Sequence, residues 1–353
     1  MDSKTRVIEA ENGGIQNPRT IDSTSADDPA KNEKKSTAST GRIVMPSIKS
    51  SWEKLNLWSI SIKIVFGNEK MEIILNDTKF EYSASYQKCD SDKSCRVDWC
   101  ASRAKKLIQE FHDVPFYVAA VQDLNSVFSE TRVYIRHLFL DTSAVTGSYG
   151  RLLKTVFMAH LRIILAELPV KTVIQKAEFK CGKSAEDMLC VFEHLPRRGI
   201  RELHLVGHQM KSVSLHALFH TPQFENCKHV RIGSMNQSDL VRLARTPQHT
   251  EIELVGEIQP KDIAHLAKRF IDYPTDERAT LKVNVEKSID STQMRKEFDG
   301  LGNVLYDETT PQVYLFPFDF NGSSEFGLRV ALGEHNIILY RGPKYDKEYL
   351  FID

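Results

Sequence analysis

The sequence predicts an α/β protein: an irregular, leucine-rich-repeat-like β/α solenoid, with a β-meander and helices before it and a β end-piece after it. Three observations carry that expectation. Short strand-like runs recur between about residues 130 and 290, most of them separated by a single amphipathic helical stretch. Those runs alternate apolar and polar residues, so only one face of each strand requires cover. The chain also has no glycine-rich strand-to-helix turn of the dinucleotide-binding kind. A unit of one short strand and one helix cannot form a core alone, whereas stacked units bury a continuous one. The competing architecture, a doubly wound parallel sheet, covers both strand faces and demands continuous apolar runs.

Residues 1–50 stand apart. They hold 13 apolar residues, 12 Ser or Thr and no aromatic. Such a segment cannot bury enough apolar area to offset a backbone entropy of roughly 1–2 kcal/mol per residue, which predicts a disordered tail. Residues 51–130 form the next part. LWSISIKIVF sets Ile60, Ile62, Ile64 and Phe66 at period two, and the turns at Gly67-Asn68 and Asn76-Asp77 continue it as a meander over 58–85. Asp98 then reads as the cap of a helix, WCASRAKKLIQEF, with Ala101, Ala104, Leu107, Ile108 and Phe111 at helical spacing. FYVAAVQDLNSVF and RLLKTVFMAHLRIILAEL are helical by the same test.

The solenoid is expected over 131–342. Its strands are VYIRHLFL (133–140), TVIQKAEFK (172–180), RELHLV (201–206), KHVRI (228–232), TEIELV (250–255) and TLKVNV (280–285). Between most of them lie the helical stretches SAEDMLCVFEHL, SLHALF, SDLVRLAR and KDIAHLAKRFI. VYLFPFDF, FGLRVAL and NIILYRG read as three closing strands, and 343–353 as a terminal tail.

Composition narrows the function. The chain has 353 residues and 47 Lys+Arg against 47 Asp+Glu, a formal net charge of zero, which removes the electrostatic case for a nucleic-acid or membrane partner. No apolar run of about 18 residues is present. The start carries charge where a signal peptide needs an apolar core. Six cysteines suit a reducing compartment, so a cytoplasmic protein is expected, with the nucleus as the other candidate compartment.

Candidate chemistry is sparse. Cys89, Cys95 and Cys100 have the spacing C-x5-C-x4-C, but a structural zinc site pairs ligands two to four residues apart and needs four of them. His216 and His220 share a helical spacing, yet Ala217 stands where a zincin needs its glutamate. No G-x-S-x-G, P-loop or kinase signature occurs. The expectation is a non-enzyme without metal or cofactor. The rival enzyme reading is a hydrolase using histidines at strand ends, drawn from His204, His208, His216 and His229; a third reading is a structural relic without a ligand.

The outward strand positions are more informative. Side chains alternate faces along a strand. With the Leu, Ile and Val residues inward, Glu178, Glu202, His204, His229, Arg231, Glu251, Glu253, Lys282 and Asn284 form an outward ladder, and Phe139 is an apolar member of the same face. A mixed-sign ladder suits a protein ligand, because charge complementarity fixes register and rejects wrong partners.

From about 58 to 342 the chain resembles the FTH-type, F-box-associated C-terminal region of nematode F-box proteins. The residues that carry the likeness are Tyr82, Tyr86 and Cys89 in FEYSASYQKC, Leu203 and Leu205 in CVFEHLPRRGIRELHL, and Gln223 and Lys228 in PQFENCKHVRI. Asp262, Ile263 and Leu266 in PKDIAHL follow, then GLGNVLY and NIILYRG. Phe224 stands where the family has Trp. The resemblance implies a substrate-recognition adaptor of a cullin-type ubiquitin ligase, joined to it through a Skp-type linker. The segment before Leu55, where such proteins carry a Leu/Ile/Val-rich F-box, is polar here apart from IVMPSIKSSWEKL.

Overall fold

Period-two runs of branched apolar residues pair edge to edge in the computed structural model. It describes residues 59–343 except 78, 90–92, 102–106, 131–133, 169–171, 181–185, 198, 207–211, 243–248, 256, 273–277, 300–304, 307–312 and 321–322. The expected tail (1–50), the IVMPSIKSSWEKL segment and the last ten residues lie outside the described part. The fold is mixed α/β, built on an open sheet that does not close into a barrel.

The chain begins with an antiparallel meander, β1 (Ile60–Phe66), β2 (Lys70–Asn76), β3 (Glu81–Lys88), β4 (Cys95–Ala101) and β5 (Leu107–Phe111). After α1 (Phe116–Glu130) strands and helices alternate: β6 (Tyr134–Asp141), α2 (Gly147–Ala166), β7 (Val173–Lys180), α3 (Glu186–Phe192), β8 (Ile200–Val206). Then come α4 (Ser212–Phe219), α5 (Pro222–Glu225), β9 (His229–Met235), α6 (Gln237–Arg242), β10 (His249–Leu254), α7 (Pro260–Asp272) and β11 (Ala279–Val285). The chain closes with α8 (Ser291–Asp299), β12 (Leu305–Tyr306), β13 (Val313–Phe320), β14 (Ser323–Leu332) and β15 (Asn336–Pro343).

The sheet order is β12-β13-β14-β15-β11-β10-β9-β8-β7-β6-β1-β2-β3-β4-β5. From β1 through β6 to β11 every neighbouring pair is parallel. Each new strand from β7 to β11 joins the same side of its predecessor. With crossovers of one hand, that progression keeps the connecting helices on one face. The burial pattern agrees: β11 alternates buried and half-buried residues along its whole length. A continuous inward row runs Ile64, Leu140, Phe179, Leu205, Ile232, Ile252, Val283 across seven strands, and all seven side chains are buried.

The expected helix over WCASRAKKLIQEF is corrected to the strands β4 and β5. Cys95, Val97 and Trp99 alternate inward from β4, and Phe111 meets Trp99 edge-on at 6.1 Å. The free edge of β3 takes up this segment, and the helical spacing of its later apolar residues is coincidental. The meander and the strand–helix region, read from sequence as separate parts, share one sheet through the β1–β6 pairing.

One turn depends on a missing side chain. Entering β8, Gly199 passes so close to strand β7's approach that a Cβ there would sit 2.4 Å from the Thr172 carbonyl oxygen. The same glycine's carbonyl accepts from Ile174 N–H at 2.8 Å. Gly199→Ala is therefore expected to cost about 1–3 kcal/mol through forced backbone displacement. Denaturant titration checks this; a loss under about 0.5 kcal/mol would show that the turn yields freely.

Candidate functional site

The face of the sheet away from the helices is lined by the polar half of each strand. Register sets Lys63, Phe139, Glu178, His204, Arg231, Glu251 and Lys282 in one row across β1 and β6 to β11. Beside it runs a second row: His137, Lys176, Glu202, His229, His249 and Thr280. Glu253 pairs with Asn284 in the next row. All ten residues expected on the outward ladder therefore lie on this face. Phe139 is half-buried, with Lys63 Nζ 5.4 Å above its ring and His137 edge-on at 6.1 Å.

Charges on the face are paired locally. Lys176 Nζ lies 2.8 Å from Glu178, and His137 Nε2 lies 3.3 Å from the same carboxylate. Arg231 reaches Glu253 at 2.9 Å and Glu251 at 3.8 Å. Glu251 also accepts from Asn284 Nδ2 at 3.1 Å, with Lys282 Nζ at 3.9 Å. Such half-exposed pairs contribute at most about 1 kcal/mol each, so a ligand can exchange them at small cost.

Between β8 and β11 the face dips into a depression of about 460 Å³, lined by Glu202, His204, His229, Arg231, His249, Glu251, Thr280 and Lys282. The rings of His229 and His249 stack there at 4.8 Å and 17°. Burial holds the His249 imidazole below its usual range, helped by His229. Burial, then the Lys176 charge, lowers His137 and His204 in the same direction. His137, His204 and His249 are therefore held toward the neutral form at neutral pH. A histidine depressed in the folded state contributes stability that is present above its ordinary value near 6.5 and lost as pH falls through the folded value. Burial raises Glu178, but the Lys176 hydrogen bond and charge, then His137 and His204, outweigh it and keep the carboxylate below its ordinary range.

Six of the expected residues meet in the depression: Glu202, His204, His229, Arg231, Glu251 and Lys282. Glu178 and Phe139 lie further along the face, on β7 and β6, and Glu253 and Asn284 at its next row. Sequence reasoning missed His249, because the strand begins one residue earlier than the apolar alternation suggests. It also missed His137. It stands two residues before Phe139 on the same face, so alternation around the inward Leu138 already places it outward; the irregularity of β6 against β1 falls before it, between Ile135 and His137.

The other candidates do not gather into a site of three or more such groups among the described residues. Cys95 is buried in the core while Cys100 is exposed on the opposite side of β4. His216 on α4 and His220 in the turn just past its end are both exposed, with their rings edge-on at 4.6 Å. Of the hydrolase set, His204 and His229 line the depression, His216 stands on the helical layer, and His208 lies outside the described residues. Among the described residues no three His, Cys, Asp or Glu gather as a metal site, and no helix is long and apolar enough to cross a membrane. Compared with known proteins, the chain matches no family model, no curated protein and no solved structure.

Proposed function

We infer that the chain is a non-catalytic recognition module, a β/α solenoid whose bare sheet face binds a protein segment. One observation carries the reading: seven consecutive parallel strands leave a mixed-sign row uncovered, and that row deepens into a depression between β8 and β11. Cations and carboxylates nearly balance along it, which favours a ligand of alternating charge read in one register over a polyanion. Binding strength would rest on a few anchors within the depression. The F-box-associated resemblance gives this module its place: the target-selecting arm of a cullin-type ubiquitin ligase. Its contact with a Skp-type linker would then depend on residues upstream of Leu55.

The test is a double charge reversal, Glu251→Lys with Glu253→Lys, in the full chain. Partners recovered with the wild type should fall at least about tenfold, while stability changes by no more than about 1 kcal/mol, as for half-exposed ion pairs. Unchanged recovery would end the assignment of this face. Co-purification with and without residues 1–58 then asks whether a cullin and its linker accompany the chain; their absence from both samples would remove the ligase role and leave the binding role standing.

A further inference from the structure

The helical layer carries a second surface, independent of the sheet face. Helix α2 is 20 residues long and buries Leu153, Phe157, Met158, Leu161, Ile164 and Leu165 against the core. Its opposite side is also apolar. Tyr149, Leu152 and Ile163 are 44%, 61% and 57% exposed, three of the six large hydrophobic residues so exposed among those described. Val156, Ala159 and Ala166 complete the line. Isolated exposed hydrophobics are ordinary on protein surfaces. This set is different, because it repeats at intervals of three, four, three, four and three. That is the a/d spacing by which one helix packs against another, and at 100° per residue it centres roughly opposite the buried side.

We propose that α2 is the seam of a homodimer, packed antiparallel on α2 of a second copy about a two-fold axis between Phe157 and Met158. The seam reads the same in both directions. A single register sets Leu152 against Ile163 of the second copy, Val156 against its Ala159, and Tyr149 against its Ala166. Leu152 and Ile163 form the bulky contact on either side of the axis, and Val156 and Tyr149 each meet an alanine, so no layer stacks like on like. A parallel pairing would instead stack Tyr149 on Tyr149 and alanine on alanine, leaving voids. A two-fold axis makes this contact isologous, which closes at two copies.

Charge permits the pairing. The chain has zero formal net charge, so no long-range repulsion opposes association of copies. Arg162 falls level with Leu153 of the second copy, between its Arg151 and Thr155, and about 90° round the helix from the seam centre, where its charge stays in water. A helix of this length spans about 30 Å, and pairing it with its copy buries on the order of 1,000 Å². That is the lower end of what a specific interface needs, so the dimer is reversible and concentration-dependent.

Sedimentation equilibrium of the full chain from about 1 to about 300 µM tests this. The average mass should rise from 40.3 kDa toward twice that value. L152E and I163E should each weaken association at least about tenfold without lowering the melting temperature, because both side chains already face water. Mixing L152K with I163E should restore association, since only the antiparallel register sets the two substituted positions opposite each other. A chain that stays monomeric throughout overturns the proposal, whether the seam stays bare or is covered by residues 1–58 or another protein. A dimer indifferent to L152E and I163E, or a mixture that fails to re-associate, overturns the pairing just as directly.

Discussion

Asp123→Asn is expected to remove about 4 kcal/mol of pH dependence from folding stability and to leave the variant the more stable chain at pH 8. Asp123 lies on the buried side of α1, 3% exposed, in contact with the meander. The Tyr86 hydroxyl donates to its carboxylate. Burial pushes its pKa from 3.8 to about 7; the Tyr86 hydrogen bond and Trp99 act against that rise without cancelling it. Burial and the same carboxylate push the Tyr86 phenol up as well, so it remains a donor throughout.

The sign follows from proton counting. Between 3.8 and about 7 the folded chain holds a proton on Asp123 that the unfolded chain has released. The associated stability is complete below about pH 4 and is lost as pH rises toward 7. An asparagine keeps an acceptor for Tyr86 and carries no charge to bury, so its curve lacks this loss. Denaturant titrations of both chains from pH 4.5 to 8.5 measure the difference directly. The half-buried histidines act in the opposite direction but are common to both chains and cancel. Parallel curves would mean that Asp123 is ionised and solvated in the folded protein.

Leu205→Ala should cost about 2–5 kcal/mol, the usual range for a buried large-to-small change. Leu205 is fully buried in the inward row, with Phe179 on β7 to one side and Ile232 on β9 to the other. Neighbouring strands and the overlying helices hold that row in place, so the cavity has little room to collapse. His204→Ala, one residue earlier but on the opposite face, should change stability by less than about 1 kcal/mol. The contrast between adjacent positions is the measurement. Equal losses would mean that both faces are covered, and the open-face reading would fail with them.

Much of the strand–helix region is legible because an exposed face leaves a period-two signature. His204 between Leu203 and Leu205, and Glu253 between Ile252 and Leu254, mark which side meets water. That logic fails where strict alternation fails: in β6 the inward Ile135 and Leu138 stand three apart. It also fails over Ala101, Ala104, Leu107, Ile108 and Phe111, whose spacing mimics a helix, while the pairing of β4 with β3 and of β5 with β4 decides the outcome for the described residues. Helix α8 is faint in sequence, with Met294 and Phe298 its buried apolar residues. Its one clear marker is Asp290, whose carboxylate accepts from Thr292 and Gln293 N–H at 3.0 Å. Asp123 was open to notice, since it stands four residues from both Ala119 and Val127 on a buried stripe, but an acid there reads by default as the polar side of a helix.

The two ends of the parallel ribbon are each closed by an antiparallel neighbour, β2 on β1 and β15 on β11. Any fragment trimmed to the strand–helix repeats alone would strip those partners away. It would bare backbone donors and acceptors flanked by rows of branched aliphatics, the usual template for aggregation. Expression of isolated pieces should therefore yield insoluble material unless both terminal hairpins are retained, and the protein is best dissected by point substitution rather than by cutting the chain.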